Sequence, residues 1–461
     1  MYRVEQDYLG ELQIPAARLF GINTARGSEN LAVSFRALSD MPAFCIAFAQ
    51  CKWAAALANH ELGLLDAAQT NAIVRACGEI VAGEHIESLV IDLMEGSGGT
   101  STNMNFNEVI ANRAQQLLGG QLGAYDLVHP NDHVNRSQST NDVYPAALKI
   151  AVYALLTPLI DELRRLSESC QKKSKEFAEV LHLGRTCLQD AQPMKLGHLF
   201  GGYASLVERA AIELQTARDK LRTLPLGGTA IGTGFGAPPG YRAVVLRHLS
   251  KLTGIVLAPP GDSFDAMQNL DVFARVSGEL RTCATSLGKV ASDLILLSSG
   301  PAAGLGELRL PSVQAGSSIM PGKVNPVVPM AVVQIGFAVV GNDTCVAQAV
   351  QAGQLEINHF EPVIADRLFE SIRLLSNGVR LLRDKCIDGI EADQSNNSRH
   401  VVNSMAVATA LLPRLGYEAI SRYARQSVAE SRPLVEILDA AGVLSKAEAL
   451  ALIETAADPK F

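Results

Sequence analysis

The residues in this chain best suited to chemistry lie in one stretch, Gly316-Ser317-Ser318-Ile319-Met320-Pro321-Gly322-Lys323-Val324-Asn325-Pro326. A lysine ammonium and a nearby asparagine amide can hold a carboxylate. A hydroxyl beside them accepts a proton only if its alkoxide is stabilised, which backbone N–H groups at a loop or helix start can do. Gly316 and Gly322 allow unusual backbone angles, and Pro321 and Pro326 cannot donate a helical hydrogen bond. The stretch is therefore expected to be a loop, set between two long apolar patterns of helical period. Taken alone, it is also compatible with a Ser/Gly-rich connector.

Four other polar blocks accompany it: SGGTSTNMNFNEVIANRA (97–114), HPNDHVNRSQSTNDVYP (129–145), GRTCLQDAQPMKLG (184–197) and LGGTAIGTG (226–234). With GSSIMPGKVNP they resemble the characteristic blocks of the fumarase/aspartase superfamily, in order and spacing, from Asp7 to about Gly442. The block VVGNDTCVAQAVQAGQLEINHFEPVI (339–364) is more similar to aspartases than to fumarases. The resemblance implies a mainly α, three-domain fold with a central bundle of five long helices. It divides the chain into a mostly helical mixed N-terminal domain (1–140), the central bundle carrying loop 316–326 (141–395) and a small helical C-terminal domain (396–461). It also implies a homotetramer built on a twenty-helix core, with each active site shared by three subunits.

The activity implied is that of a carbon–nitrogen lyase, eliminating ammonia from L-aspartate to give fumarate, with no cofactor and no metal-ligating residue in the site; activation by a divalent metal, as in some aspartases, stays open. In the family, Ser317 matches the general base. Thr100, Ser139, Thr140 and Ser318 match hydroxyls around the substrate β-carboxylate, and Ser101 is a further substrate-binding position. Lys323 and Asn325 match the α-carboxylate binders, and Asn141 and Thr186 the contacts to the amino group. Singly, each hydroxyl could equally serve as a helix cap or turn residue.

Three positions depart from the family pattern. The residue after the GRT threonine, commonly His or Gln, is Cys187; the Glu expected after VNPVVP is Met330; the asparagine of GTGLN is Gly236. A thiol is a weak hydrogen-bonding group. These changes suggest a roomier, less polar leaving-group region. A lyase expelling a bulkier amine, such as the trimethylamine released by ergothionase-like enzymes, is therefore an alternative to aspartase. Fumarase is another. A catalytically silent helical scaffold, the reading from a different class, is disfavoured by the retained Ser317, Lys323, Asn325, Thr100 and Ser139–Asn141.

Positioning such loops is the task of the rest of the chain. Residues 146–183, 196–221, 270–299, 327–350 and 362–390 carry apolar residues near a 3.6-residue period. As continuous helices they would each span about 35 to 55 Å, long enough to expect packing against further copies. Pro158 is expected to kink the first or to mark its start. Shorter helices are expected over Pro42–Leu62, which holds Lys52 and Trp53, over Ala67–Ala82, from Met104 to Gly119-Gly120, and over 402–414, 416–429 and 434–455. Asp7 to Asn30 reads as loop.

The 461 residues are 48% hydrophobic and 19% charged, with a net charge of −7, which argues against a nucleic-acid surface. The eight cysteines show neither CxxC nor zinc spacing, and the N-terminus lacks a signal-peptide run, so a reduced cytoplasmic protein is expected. Apolar runs broken by charge short of about 18 residues predict no membrane span. Gly232–Gly236 lacks the βαβ context of a dinucleotide loop, and residues 96–102 lack the lysine of a phosphate loop. His129 and His133 are expected to be turn residues, since Pro130 interrupts a shared helix face.

Overall fold

The five long apolar patterns are helices in the computed structural model, which describes residues 1–458. They are α5 (Thr140–Glu176), α6 (Leu196–Asp219), α9 (Asp271–Leu297), α10 (Val327–Gln351) and α11 (Glu361–Lys385). Helix α5 starts earlier than its apolar pattern and runs straight through both Pro145 and Pro158. Each proline costs a helix about 3 kcal/mol. Against that, Leu148, Leu156, Leu159, Leu163 and Leu166 are at most 1% exposed, and burying one such side chain contributes roughly 1.5–3 kcal/mol. Burial wins, so Pro158 does not mark a helix start. The helix ends at Glu176, short of residue 183, because Leu181–Thr186 (β3) turns back as a hairpin with Gln189–Lys195 (β4).

The N-terminal region also departs from the expectation of loop. Tyr2–Asp7 (β1) and Gly10–Pro15 (β2) form an antiparallel hairpin with Tyr2 opposite Pro15, followed by α1 (Ile22–Asn30). Gly10 at φ +119° closes the turn, and Arg26 grips Asp7 through two hydrogen bonds of 2.8 and 3.0 Å. Polar alternation this short carried little strand signal, since only Glu5 and Ile14 are buried along the two strands.

The described residues fall into two compact units, 1–160 with 212–282 and 338–375, and 161–211 with 283–337 and 376–458. Each boundary falls inside one of the five long helices. In the first unit, α2 (Pro42–Glu61) packs on α3 (Ala67–Val81) and on α7 (Tyr241–Thr253), and α3 packs on α4 (Thr100–Leu117). Its centre is aromatic: Phe48 stacks on Phe106 at 4.4 Å between ring centroids, and Phe44 meets Tyr144 edge-on at 5.2 Å. Between α7 and α9 lies the short α8 (Ser263–Gln268).

In the second unit, α12 (Gln394–Asn403), α13 (Val407–Leu415), α14 (Tyr417–Glu430), α15 (Leu434–Ala440) and α16 (Lys446–Ala456) close over the β3–β4 hairpin. Leu181 and Leu183 share a core there with Val401, Leu411, Leu438 and Ile453. Gly416 and Gly442 lie between these helices, as their sequence positions suggest. The short pair β5 (Leu308–Arg309) and β6 (Glu391–Ala392) completes the strands.

Two helices, α5 and α10, are long and apolar enough to cross a membrane by length and composition. Charge still interrupts both, through Lys149 in α5 and Asp343 in α10, and a helix buried in the core of a folded protein has the same length and composition. The most apolar 18 residues of α5 are 72% buried within the protein, those of α10 only 33%.

Candidate active site

Thr100 opens α4 on a backbone that only glycine supplies. Gly99 sits at φ +89°, and a Cβ there would lie 2.5 Å from the Tyr144 ring. The turn before it is held by buried Glu95, which accepts from the Ser97 N–H at 2.8 Å, from the Ser97 hydroxyl, and from Thr102 N and Oγ1 at 3.3 and 3.1 Å. The Ser97 hydroxyl in turn accepts from Ser101 N at 2.8 Å and lies 3.0 Å from Ser101 Oγ. Thr100 itself is exposed.

Ser139, Thr140 and Asn141 stand at the start of α5, organised by a residue whose importance the sequence reading missed. Asp142 is fully buried. Its Oδ1 accepts from Ser139 N at 2.9 Å, and its Oδ2 from Gly227 N and Thr229 N at 2.9 and 3.0 Å. One carboxylate thus fastens two of the polar blocks together. Asn141 Nδ2 reinforces this by donating to the Ala230 carbonyl at 2.8 Å, leaving its amide oxygen unassigned. The Ser139-x-x-Asp142 spacing, with an acidic residue reaching back to the N-cap N–H, was the signal available in the sequence.

Lys52 is likewise buried, on α2, where its ammonium donates to Asn103 Oδ1 at 2.6 Å and to Asn135 Oδ1 at 3.0 Å. Burial lowers its pKa, and the charge of Asp142 opposes that shift. Burial raises the pKa of Asp142, opposed by its three backbone N–H donors and by Lys52. Asn103 Nδ2 continues the chain to Thr140 Oγ1 at 3.1 Å, which ties the helix of Thr100 to that of Thr140.

Thr186 and Cys187 lie at the tip of the β3–β4 hairpin, both exposed, with Cys187 at φ +51° and Leu188 at φ +62°. The hairpin is anchored by Arg185, whose guanidinium makes a two-pronged pair with Glu307 at 2.6 and 3.0 Å. His400 Nδ1 meets the same carboxylate at 2.6 Å, and His182 lies 3.6 Å from it. Burial pushes the Glu307 carboxyl up, but Arg185 and His400 outweigh it, and the pKa falls below its usual value. Replacing Glu307 by glutamine would leave a half-buried guanidinium short of its counter-charge. We expect Glu307→Gln to lose about 3 kcal/mol of stability, read by chemical denaturation, and to lower activity through the displaced Thr186.

Loop 316–326 is pinched at its neck. Gly316 N donates to the Lys323 carbonyl at 2.8 Å, and Asn325 Nδ2 to the Gly316 carbonyl at 2.7 Å. A Cβ at Gly316 would lie 2.6 Å from that Lys323 oxygen, so a side chain cannot be accommodated. Ser317 Oγ accepts from two backbone N–H groups, those of Ile319 at 3.2 Å and Met320 at 3.0 Å. Ser318 and Lys323 are exposed, and Lys323 makes no ion pair among the described residues. Hydrogen bonds therefore gather Ser139, Thr140 and Asn141 with the Thr100 helix; among the described residues none joins the Thr186 hairpin to loop 316–326.

Of the departing positions, Met330 is 45% exposed, and Gly236, at φ +84°, has open space where a side chain would stand. Next to Gly236, a cavity of about 800 Å³ is lined by Gly232, Gly234, Arg242 and Ser263. His129 and His133 belong to a short π-helix, Pro130–Val134, rather than a plain turn: His129 is its N-cap, accepting at Nδ1 from Asn131 N and Asp132 N, and its own backbone N–H donates to His133 Nδ1 at 2.8 Å. Among the described residues, Glu79, Glu84 and His85 bring ligand-type atoms within 4.8 Å of one another, but Glu79 is already held by Arg113 at 2.5 and 3.0 Å.

The family described as Lyase matches residues 10–341. The aspartate ammonia-lyase of Helicobacter pylori is 46% identical over 444 residues, 96% of this chain and 95% of that protein. The Escherichia coli aspartate ammonia-lyase is 41% identical over 447 residues, 97% and 94% of the two chains. Among solved structures, a fumarate lyase:delta crystallin from Brucella melitensis bound to cobalt superposes with a TM-score of 0.97 at 43% identity, covering 100% of both chains. A class II fumarase from Schistosoma mansoni gives 0.93 at 31% identity, again over 100% of both. Matching this sequence and these helices along their whole length, the chain belongs to the fumarase/aspartase superfamily of lyases.

Proposed function

We propose that this protein removes ammonia from L-aspartate by anti-elimination, giving fumarate. The observation that carries the reading is that the chain bearing GSSIMPGKVNP and the hydroxyl-bearing blocks is 41–46% identical, almost end to end, to aspartate ammonia-lyases. The proton beside the β-carboxylate is very weakly acidic, and removing it makes that carboxylate an enediolate-like dianion. Hydroxyls from Thr100, Ser139, Thr140 and Ser318 would surround that charge, with Ser101 bordering the same pocket. Lys323 and Asn325 would hold the α-carboxylate, while the free amide oxygen of Asn141 and the Thr186 hydroxyl suit the substrate's ammonium group, which departs as ammonia when the C–N bond breaks. Cys187 would border the same region. Ser317 would take the proton, and the two N–H groups aimed at its oxygen are the kind of donors that stabilise an alkoxide.

The same reading makes the protein a cytoplasmic homotetramer. Residues 1–140, 141–395 and 396–461 would be its domains, and three subunits would contribute to each active site. The exposed apolar face of α10, with Phe337 72% exposed, supports an assembly through that helix. Sedimentation should give a mass four times that of the chain; a monomer at working concentration would contradict it.

A second reading, elimination of a bulkier amine, is favoured by Cys187 at an exposed hairpin tip and by the open space at Gly236. A panel of aspartate, malate, N-substituted aspartates and ergothioneine, followed by ultraviolet absorbance of the unsaturated product, separates the readings. Aspartate should turn over fastest. Faster turnover of malate would make the protein a fumarase, and turnover of ergothioneine without aspartate would establish the second reading.

A further inference from the structure

The buried network Lys52–Asn103–Thr140 fixes the sense of every hydrogen bond it contains. In its ammonium form, which the nearby Asp142 carboxylate favours, Lys52 has donors only, so the amide atom of Asn103 that faces it at 2.6 Å is the oxygen. The same ammonium faces the oxygen of Asn135 at 3.0 Å. The Asn103 amide is therefore held in one orientation, with Nδ2 turned toward Thr140 Oγ1 at 3.1 Å and Asn135 Oδ1 at 3.1 Å. Thr140 accepts that bond, and its hydroxyl donates to nothing among the described residues.

We infer that Asn103, oriented by Lys52, sets the Thr140 hydroxyl so that its proton points at the substrate carboxylate. Asn103 would be a positioning residue. A threonine hydroxyl free to rotate can present either a proton or a lone pair to an anion. With one lone pair held by an amide N–H, the proton is confined to the two remaining positions about the oxygen; an anion beside them selects the proton over the second lone pair, and little reorientation is needed as negative charge builds on the carboxylate. Several charged or titratable groups surround Lys52: Asp142 at the start of α5, Cys51 on α2 and Cys77 on α3. The inference rests on the reading above that Thr140 contacts the β-carboxylate.

The test is a double-mutant cycle on kcat/KM for aspartate, using the full-length protein in its native assembly. Asn103→Asp keeps the shape and the Lys52 contact but replaces the donor facing Thr140 by an acceptor, so the threonine proton turns away from the substrate. A loss of about 10²-fold is expected, as for removal of one preorganised donor. Thr140→Val should lose a similar amount, and Asn103→Asp added to Thr140→Val should lose little more. If Asn103→Asp is as active as the wild type, or if its loss is fully additive with that of Thr140→Val, the positioning role is overturned. If Thr140→Val alone keeps full activity, the carboxylate reading fails and the inference falls with it. Should Asn103→Asp not fold, judged by its melting profile, Asn103→Ala takes its place in the same cycle.

Discussion

Ser317→Ala should lower kcat for aspartate by about 10³-fold, within the range that general acid–base groups contribute, while leaving assembly and melting temperature unchanged. The side chain makes no packing contribution that would be missed. Its oxygen accepts only from Ile319 N and Met320 N, in a loop whose tip faces solvent. Those two N–H groups can turn to water when the hydroxyl is gone, so little stability is at stake. The loop neck is held independently, by Gly316, Lys323 and Asn325. Binding of substrate should therefore survive, and the loss should fall on kcat with little change in KM. Steady-state kinetics beside sedimentation would separate this outcome from simple unfolding. Unchanged turnover would remove Ser317 from the role of base.

Asp142→Asn is expected to damage stability and activity together. An amide can present its oxygen to Ser139 N, or to the pair Gly227 N and Thr229 N, but not to both. Whichever side receives the NH2 group sets donor against donor at a fully buried position. Each buried N–H left without an acceptor costs about 1–3 kcal/mol. The loss of charge also leaves the Lys52 ammonium without its nearby carboxylate. We expect a drop of about 3 kcal/mol in denaturant stability, with weaker binding of aspartate as Ser139–Asn141 lose their link to residues 226–230. A variant that melts like the wild type but binds aspartate poorly would confine Asp142 to shaping the loop. One unchanged in both respects would remove it from the account.

The long helices were legible because 24 or more residues of 3.6-residue periodicity outweigh any local signal. Their ends were not. The start of α5 at Thr140 precedes its apolar pattern, and its passage through Pro145 and Pro158 depends on core burial that no local rule contains. The hairpins went unseen for the opposite reason. The β3–β4 pair is polar, contains Pro193 in its second strand, and gains its stability from Arg185–Glu307 and from a core supplied by helices more than 200 residues away.

The hydroxyls and the lysine of the candidate site stand out in the sequence only through the blocks that carry them, since each hydroxyl alone could be a cap or turn residue. Asp142, Asn103 and Glu307 do not stand out, since their work lies in partners that only the fold brings near. Lys52, a charge flanked by apolar residues in the middle of α2, is the feature of the sequence that such a buried partner explains.

The most direct test of the whole account is a crystal structure of the assembled protein with succinate, a dicarboxylate that cannot lose an amine. The account predicts one succinate carboxylate within about 3 Å of the Thr100 and Thr140 hydroxyls. The other carboxylate should lie on Lys323 and Asn325, with Ser317 Oγ about 3–3.5 Å from the carbon between them. Succinate bound elsewhere, or Ser317 far from Thr100 and Thr140 in every copy of the site, would contradict it.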